Sequence, residues 1–286
     1  MLNKYEINNT INLDQHGCYK KDTTFPEFQD KLVEFKNLIK KLVSKGENKT
    51  FYKFGDGDYY FLKKMPVGSA APGRRAISVS YNNLKTHSQF VQGVGLNDYQ
   101  MVEIYPENIY KFKEIYPFLD NFFPAEYVYG LVSNKWLLKT FKGHIGLIGA
   151  KEKINLIETL MTHQSYQEYL GIDKFNDYLH IPQQFACDNI DEVEKSISQQ
   201  LLSSSQDTKI FLVGIGHVKS ALLHRLKKYK NAIFLDVGSG IDALAGVIDY
   251  ERPYMGAWIN YKLKNFDYGT IDLLQYKSTP ERESWL

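Results

Sequence analysis

Disulfide chemistry, a basic excess and membrane-spanning runs are all missing from this sequence. Two cysteines, Cys18 and Cys187, stand in 286 residues. That is too few for a disulfide framework or a four-thiolate zinc site, so both are expected as thiols in a reducing, cytoplasmic compartment. Lysine and arginine number 35 against 33 aspartates and glutamates, a formal charge of +2. A nucleic-acid surface needs a clustered basic excess, so nucleic acid is excluded as the expected partner. No run approaches the roughly 18 apolar residues of a membrane span. The opening stretch, Met1 to Gly17, lacks an apolar signal core, so neither an integral membrane segment nor a secretory signal is expected. Arginine is scarce, at positions 74, 75, 225, 252 and 282. No repeat, low-complexity tract or long linker divides the chain.

What is present is the material for a core: 43% hydrophobic residues, and an aromatic content of 14% with 21 Tyr and 17 Phe. Phe28, Leu32, Phe35, Ile39 and Leu42 recur at helical spacing, so a helix is predicted from about Phe25 to Lys45. Thr24 and Glu27 would form its capping box and Gly46 its stop. A strand-like run, Thr50 to Phe54, breaks at Gly55-Asp56-Gly57-Asp58. The segment Pro66 to Gly73 reads as a mobile loop ending in Arg74-Arg75. Asp98 to Leu119 reads as helical, interrupted at Pro106 and Pro117. Strands follow at 144–149, 178–181, 209–213 and 232–237, with helices near 151–163, 190–202 and 217–229. Strands alternating with helices at this spacing give βαβ units. Uninterrupted apolar strands expect cover on both faces. The predicted fold is a Rossmann-like α/β sandwich with a mostly parallel sheet: an N-terminal extension over 1–24, then one domain over 25–286.

Ligands of such sheets sit beyond the carboxyl ends of the strands, and three strand ends carry unusual residues. At Gly55-Asp56-Gly57-Asp58, two carboxylates one residue apart suit Mg²⁺ or Mn²⁺ held by a diphosphate; a solvated Gly/Asp turn is the alternative. At Val213-Gly214-Ile215-Gly216-His217, Gly214 and Gly216 would let a phosphate approach the backbone. His217 would contact phosphate or cap the helix. This turn lacks the third glycine of the dinucleotide fingerprint, and the acidic residue about 20 positions on falls at Asp236. At Leu235-Asp236-Val237-Gly238-Ser239-Gly240, the pattern is that of a class I methyltransferase motif, but it closes the last strand rather than the first. Gly238 and Ser239 are instead expected to offer donors to a ligand. Arg74 and Arg75 are either solvated surface charge or a bidentate clamp on a diphosphate. Arg252 to Trp258, with two aromatics beside the arginine, would lid a sugar or a base, or pack the edge.

Lys53-Phe54-Gly55-Asp56-Gly57-Asp58, reached after a long amphipathic helix, resembles the R-[FY]-G-D-G-E signature of the GT-D fold glycosyltransferases. Ile181-Pro182-Gln183-Gln184-Phe185-Ala186 is similar to that family's I-P-x-x-N-A-F strand end, and the two glycine turns follow in the family's order. Lys53 stands in place of Arg and Asp58 in place of Glu. Gly216 to Ser220 replaces a Gly-Pro-Thr-type turn, and Ser239 and Asp242 replace a His-Asp pair. The resemblance implies a metal-dependent glycosyltransferase of polysaccharide biosynthesis. It would use Mn²⁺ or Mg²⁺ on Asp56 and Asp58, a UDP-sugar or related donor, and a glycan or glycoconjugate acceptor. Gly55, Gly57, Gly214, Gly216, Asp236, Gly238 and Ser239 would cradle the donor, and Arg74 or Arg75 would close over the leaving group. Asp242 is then the first candidate for the base that deprotonates the acceptor, and His217 the second. A homodimer is admissible. The rival expectations are a methyltransferase, a nicotinamide-dependent oxidoreductase resting on Gly214 and Gly216, and a non-catalytic carbohydrate-binding module.

Overall fold

Among the described residues seven strands form one sheet in which every neighbouring pair is parallel; from edge to edge they are 122–124, 99–102, 49–54, 233–236, 210–214, 145–150 and 177–181. The computed structural model describes residues 27–64, 87–104, 106–133, 135–182 and 186–246, without the side chains of Asp56 and Ser133. In chain order the elements are α1 (Phe28–Ser44), β1 (Lys49–Phe54), α2 (Asp56–Leu62), α3 (His87–Gly95), β2 (Tyr99–Val102), α4 (Pro106–Ile115), β3 (Phe122–Pro124), α5 (Glu126–Ser133) and α6 (Trp136–Thr140). There follow β4 (Ile145–Ala150), α7 (Lys151–Leu160), α8 (Gln164–Leu170), β5 (Asp177–Ile181), α9 (Ile190–Ser203), β6 (Ile210–Gly214), a 3₁₀ turn (Gly216–Val218), α10 (Lys219–Leu226), β7 (Ile233–Asp236) and α11 (Gly240–Leu244).

Alternation along the strands builds two cores. Phe51, Leu147, Leu212 and Leu235 face one, packed under α1, α5, α7 and α11. Tyr52, Ile148, Val213 and Phe234 face the other, packed under α2, α3, α4, α9 and α10. β4 connects outward to β5 through α7, whereas β6 connects inward to β7 through α10. Right-handed crossovers running in opposite directions must lie on opposite faces, which is why α7 and α10 do. The turns after β1 and β6 therefore lead to one layer and those after β4 and β7 to the other. By the rule for open α/β sheets, the crevice for a ligand lies between these two layers at the carboxyl edge.

The predicted helix over 98–119 is replaced by a strand and a helix. Tyr99–Val102 is β2, and Pro106, read as an interruption, is the first residue of α4. Proline has no N–H to lose at that position and its fixed φ suits it, so there it starts a helix. The turn expected at Gly55 to Asp58 is the start of α2, where Gly55 is extended and the Asp58 side chain accepts from Gly55 N at 2.9 Å. Thr24 lies outside the described residues, and Glu27 occupies the N-cap of α1 without a side-chain cap bond. Gly46 ends α1 at φ +64° as expected.

α3 and α10 touch through a glycine. A Cβ at Gly93 would stand 2.1 Å from the Ser220 carbonyl oxygen. Gly93→Ala must push the helices apart, at a cost of about 1–3 kcal/mol and a Tm several degrees lower. Thermal denaturation followed by circular dichroism reads this, and an unchanged Tm would mean that the two helices pack less closely.

Candidate functional site

β1, β7 and β6 are adjacent in the sheet, so the three unusual strand ends meet at one edge. Buried charge ties them together. The Lys219 ammonium, on the first turn of α10, lies 3.1 Å from Asp58 Oδ2 and 2.8 Å from Asp236 Oδ2, and it donates to the Lys53 carbonyl. Its three N–H bonds thus have three acceptors, from α2, β7 and β1. All three side chains are buried, and isolated charges there would be prohibitively costly. Asp236 accepts further from Lys53 N at 3.0 Å and Gly238 N at 2.9 Å, which fixes the turn after β7.

Asp58 is equally committed. Besides Gly55 N and Lys219, its Oδ1 accepts from the Tyr52 hydroxyl at 3.2 Å. The same hydroxyl meets Ser220 Oγ at 2.9 Å. Burial opposes ionisation of Asp58, but Lys219, then His217 and Lys53, outweigh it and hold the carboxyl well below its ordinary range. The Tyr52 phenol is pushed well up, first by burial and then by Asp58.

His217 stacks on Phe61, with ring centroids 4.7 Å apart and planes 11° from parallel, and its Nδ1 lies 3.7 Å from Asp58 Oδ1. The imidazole is thereby held by an aromatic face and a carboxylate while part of its side chain, 21%, stays accessible. On the other side of the sheet, Lys53 threads between two glycine turns. A Cβ at Gly238 would stand 2.8 Å from Lys53 Cε, and one at Gly55 would stand 3.2 Å from Lys53 Nζ. Its ammonium lies 3.6 Å from Glu103 and over the Tyr129 ring. Burial would lower the Lys53 pKa, but Tyr129, Glu103, Asp236 and Asp58 together raise it well above its usual value.

The glycines divide by role. A Cβ at Gly214 would meet Ile241 at 2.5 Å and the Gly238 carbonyl at 2.6 Å, so Gly214 lets the turns after β6 and β7 close on each other. Gly216, at φ +60°, has open space where a Cβ would be, and a Cβ at Gly57 would meet only His217, at 3.4 Å. Gly216 and Gly57 thus leave the mouth of the crevice uncrowded. Ser239 stands at the N-cap of α11 with no side-chain cap bond. Asp242, the first candidate base, pairs with Lys153 of α7, on the layer opposite His217. Asp56 begins α2, but its side chain lies outside the described residues, as do Arg74, Arg75, the 252–258 stretch and residues 183–185. Cys18 also lies outside them; Cys187 is a buried free thiol.

Among the described residues no group of three His, Cys, Asp or Glu side chains could hold a metal. Nor do the individual carboxylates fit one as placed, since both oxygens of Asp58 and of Asp236 already serve protein donors. No helix among the described residues is long and apolar enough to cross a membrane. Lys219 and Glu103 escaped sequence reading. Lys219 looks like any lysine at a helix start, though its neighbours Val218, Ala221 and Leu222 announce burial. Glu103 follows a strand, Tyr99–Val102, whose sequence reads as helix. No family model matches this chain, and neither a curated protein nor a solved structure matches it.

Proposed function

We propose that this chain is a glycosyltransferase that moves a sugar from a nucleotide-diphosphate sugar, of the UDP-sugar class, to a hydroxyl of a glycan or glycoconjugate. One observation carries the reading: the Lys219 tie brings the glycine turns after β1, β6 and β7 to one edge of a parallel sheet, beside an oriented, accessible histidine. Edges of this kind bind nucleotides and phosphates. The open backbone at Gly216 lets a diphosphate come close. The sheet also bears on the methyltransferase alternative, because among the described residues the Asp236–Gly240 turn follows the last strand, not the first.

In the transfer, the acceptor oxygen bonds to the anomeric carbon as the bond from that carbon to the diphosphate breaks. The electron pair leaves on the diphosphate. His217 takes the acceptor's proton on Nε2, since Nδ1 faces Asp58 and Nε2 makes no hydrogen bond among the described residues. A divalent cation would neutralise the leaving diphosphate, but Asp58 and Asp236 as placed do not fit one.

A panel of nucleotides and nucleotide sugars, read by thermal shift and by release of free nucleoside diphosphate, tests the proposal. Stabilisation by one nucleotide-sugar class, with diphosphate release, is the expected outcome. Stabilisation by S-adenosylmethionine or NAD(P) alone would overturn it, as would indifference to every member of the panel.

A further inference from the structure

Three oxygens from three separate segments converge on one buried point: Asp58 Oδ2, Asp236 Oδ2 and the Lys53 carbonyl. Two carboxylates and a carbonyl make a hard-oxygen donor set, the kind that holds Mg²⁺, Mn²⁺ or Ca²⁺. The point is already filled, by the Lys219 ammonium. We infer that Lys219 is a built-in cation occupying what would otherwise be a divalent-metal site, so that the second aspartate of the D-x-D pair serves the fold and its turns rather than a metal. This deepens the reading of the site given above, and it is measured without sugar transfer, so the two can fail separately.

The inference follows from space and charge. An ammonium between carboxylates and a divalent ion at the same point exclude each other, because both need the same lone pairs and like charges repel. The two are not equivalent for the protein. A metal ion dissociates and makes the site depend on its concentration, whereas Lys219 is part of the chain and holds the β1, β6 and β7 turns in place permanently. Tyr52 and Ser220 continue the network on the α10 side. Both Asp58 oxygens thus already accept from protein donors, Oδ1 from Tyr52 and Oδ2 from Gly55 N and Lys219. Any divalent ion that accompanies a diphosphate into the crevice is therefore bound without Asp58.

Lys219→Met removes the cation and leaves its cavity lined by the same oxygens. With two buried carboxylates unpaired, the variant is expected to melt about 10 °C below the wild type. Added MnCl₂ should restore much of that loss with saturation, and the double variant Lys219→Met/Asp236→Asn should lose the restoration. Wild-type crystals soaked in MnCl₂, with and without UDP, provide a second measurement that does not depend on the variant's folding. The electron density is expected to show Lys219 in place, and the anomalous map no manganese bonded to Asp58. Manganese bonded to Asp58 in the wild type would overturn the inference, as would a folded Lys219→Met protein whose Tm ignores Mn²⁺.

Discussion

Asp236→Ala is expected to lower the stability of the protein by about 3–5 kcal/mol, the usual cost of breaking a buried ion pair from one side. Three donors lose their acceptor at once: the Lys219 ammonium at 2.8 Å, Lys53 N at 3.0 Å and Gly238 N at 2.9 Å. Lys219 keeps Asp58 and the Lys53 carbonyl, so the network is weakened but not emptied. Denaturant unfolding monitored by tryptophan fluorescence measures the loss. Pairing the change with Lys219→Met should show strong coupling, because a residue that touches nothing cannot lose the same bond twice. The double variant is expected to be clearly more stable than the sum of the two single losses implies. Simple additivity would mean that Asp236 and Lys219 do not act on each other.

His217→Gln is expected to slow sugar transfer by about 10²–10⁴-fold, the ordinary contribution of a positioned general base. Donor binding, read as KM for the donor or as thermal shift, should change little, because glutamine keeps polarity and size at the ring's position while losing the proton acceptor. The competing candidate gives a direct contrast. Asp242 pairs with Lys153 on the opposite layer, so Asp242→Asn should cost far less than His217→Gln. Steady-state kinetics of both variants with one donor decides between them, and the reverse order would return the base to Asp242.

Much of the frame was legible in the sequence because strands buried on both faces leave a plain trace. The runs at 50–54, 144–149, 178–181, 209–213 and 232–237 all appear as strands within a residue or two of their expected bounds. β2 and β3 were not legible. They have four and three residues, too short for a period-two pattern to stand out. Buried Gln100 also breaks the apolar run, its amide held by the Val94 carbonyl. At the site, sequence spacing marked Asp58, Asp236, His217 and the glycines, and the sheet brings all of them to one edge. It did not show that Asp58 faces a lysine. Lys219 lies 161 positions away in the chain, and only the pairing of β6 beside β7 beside β1 carries it to Asp58. Gly214 was expected to make room for a phosphate; it makes room for the Gly238 carbonyl instead. A glycine in sequence shows that space is needed and not what fills it.

The most direct test is a structure of the protein with a non-transferable UDP-sugar analogue. The diphosphate should lie over the open backbone at Gly216, at the mouth of the β1–β7–β6 crevice, with His217 Nε2 turned towards the anomeric carbon. Nucleotide density elsewhere on the molecule, with that crevice still filled by water at saturating analogue, would contradict the glycosyltransferase assignment.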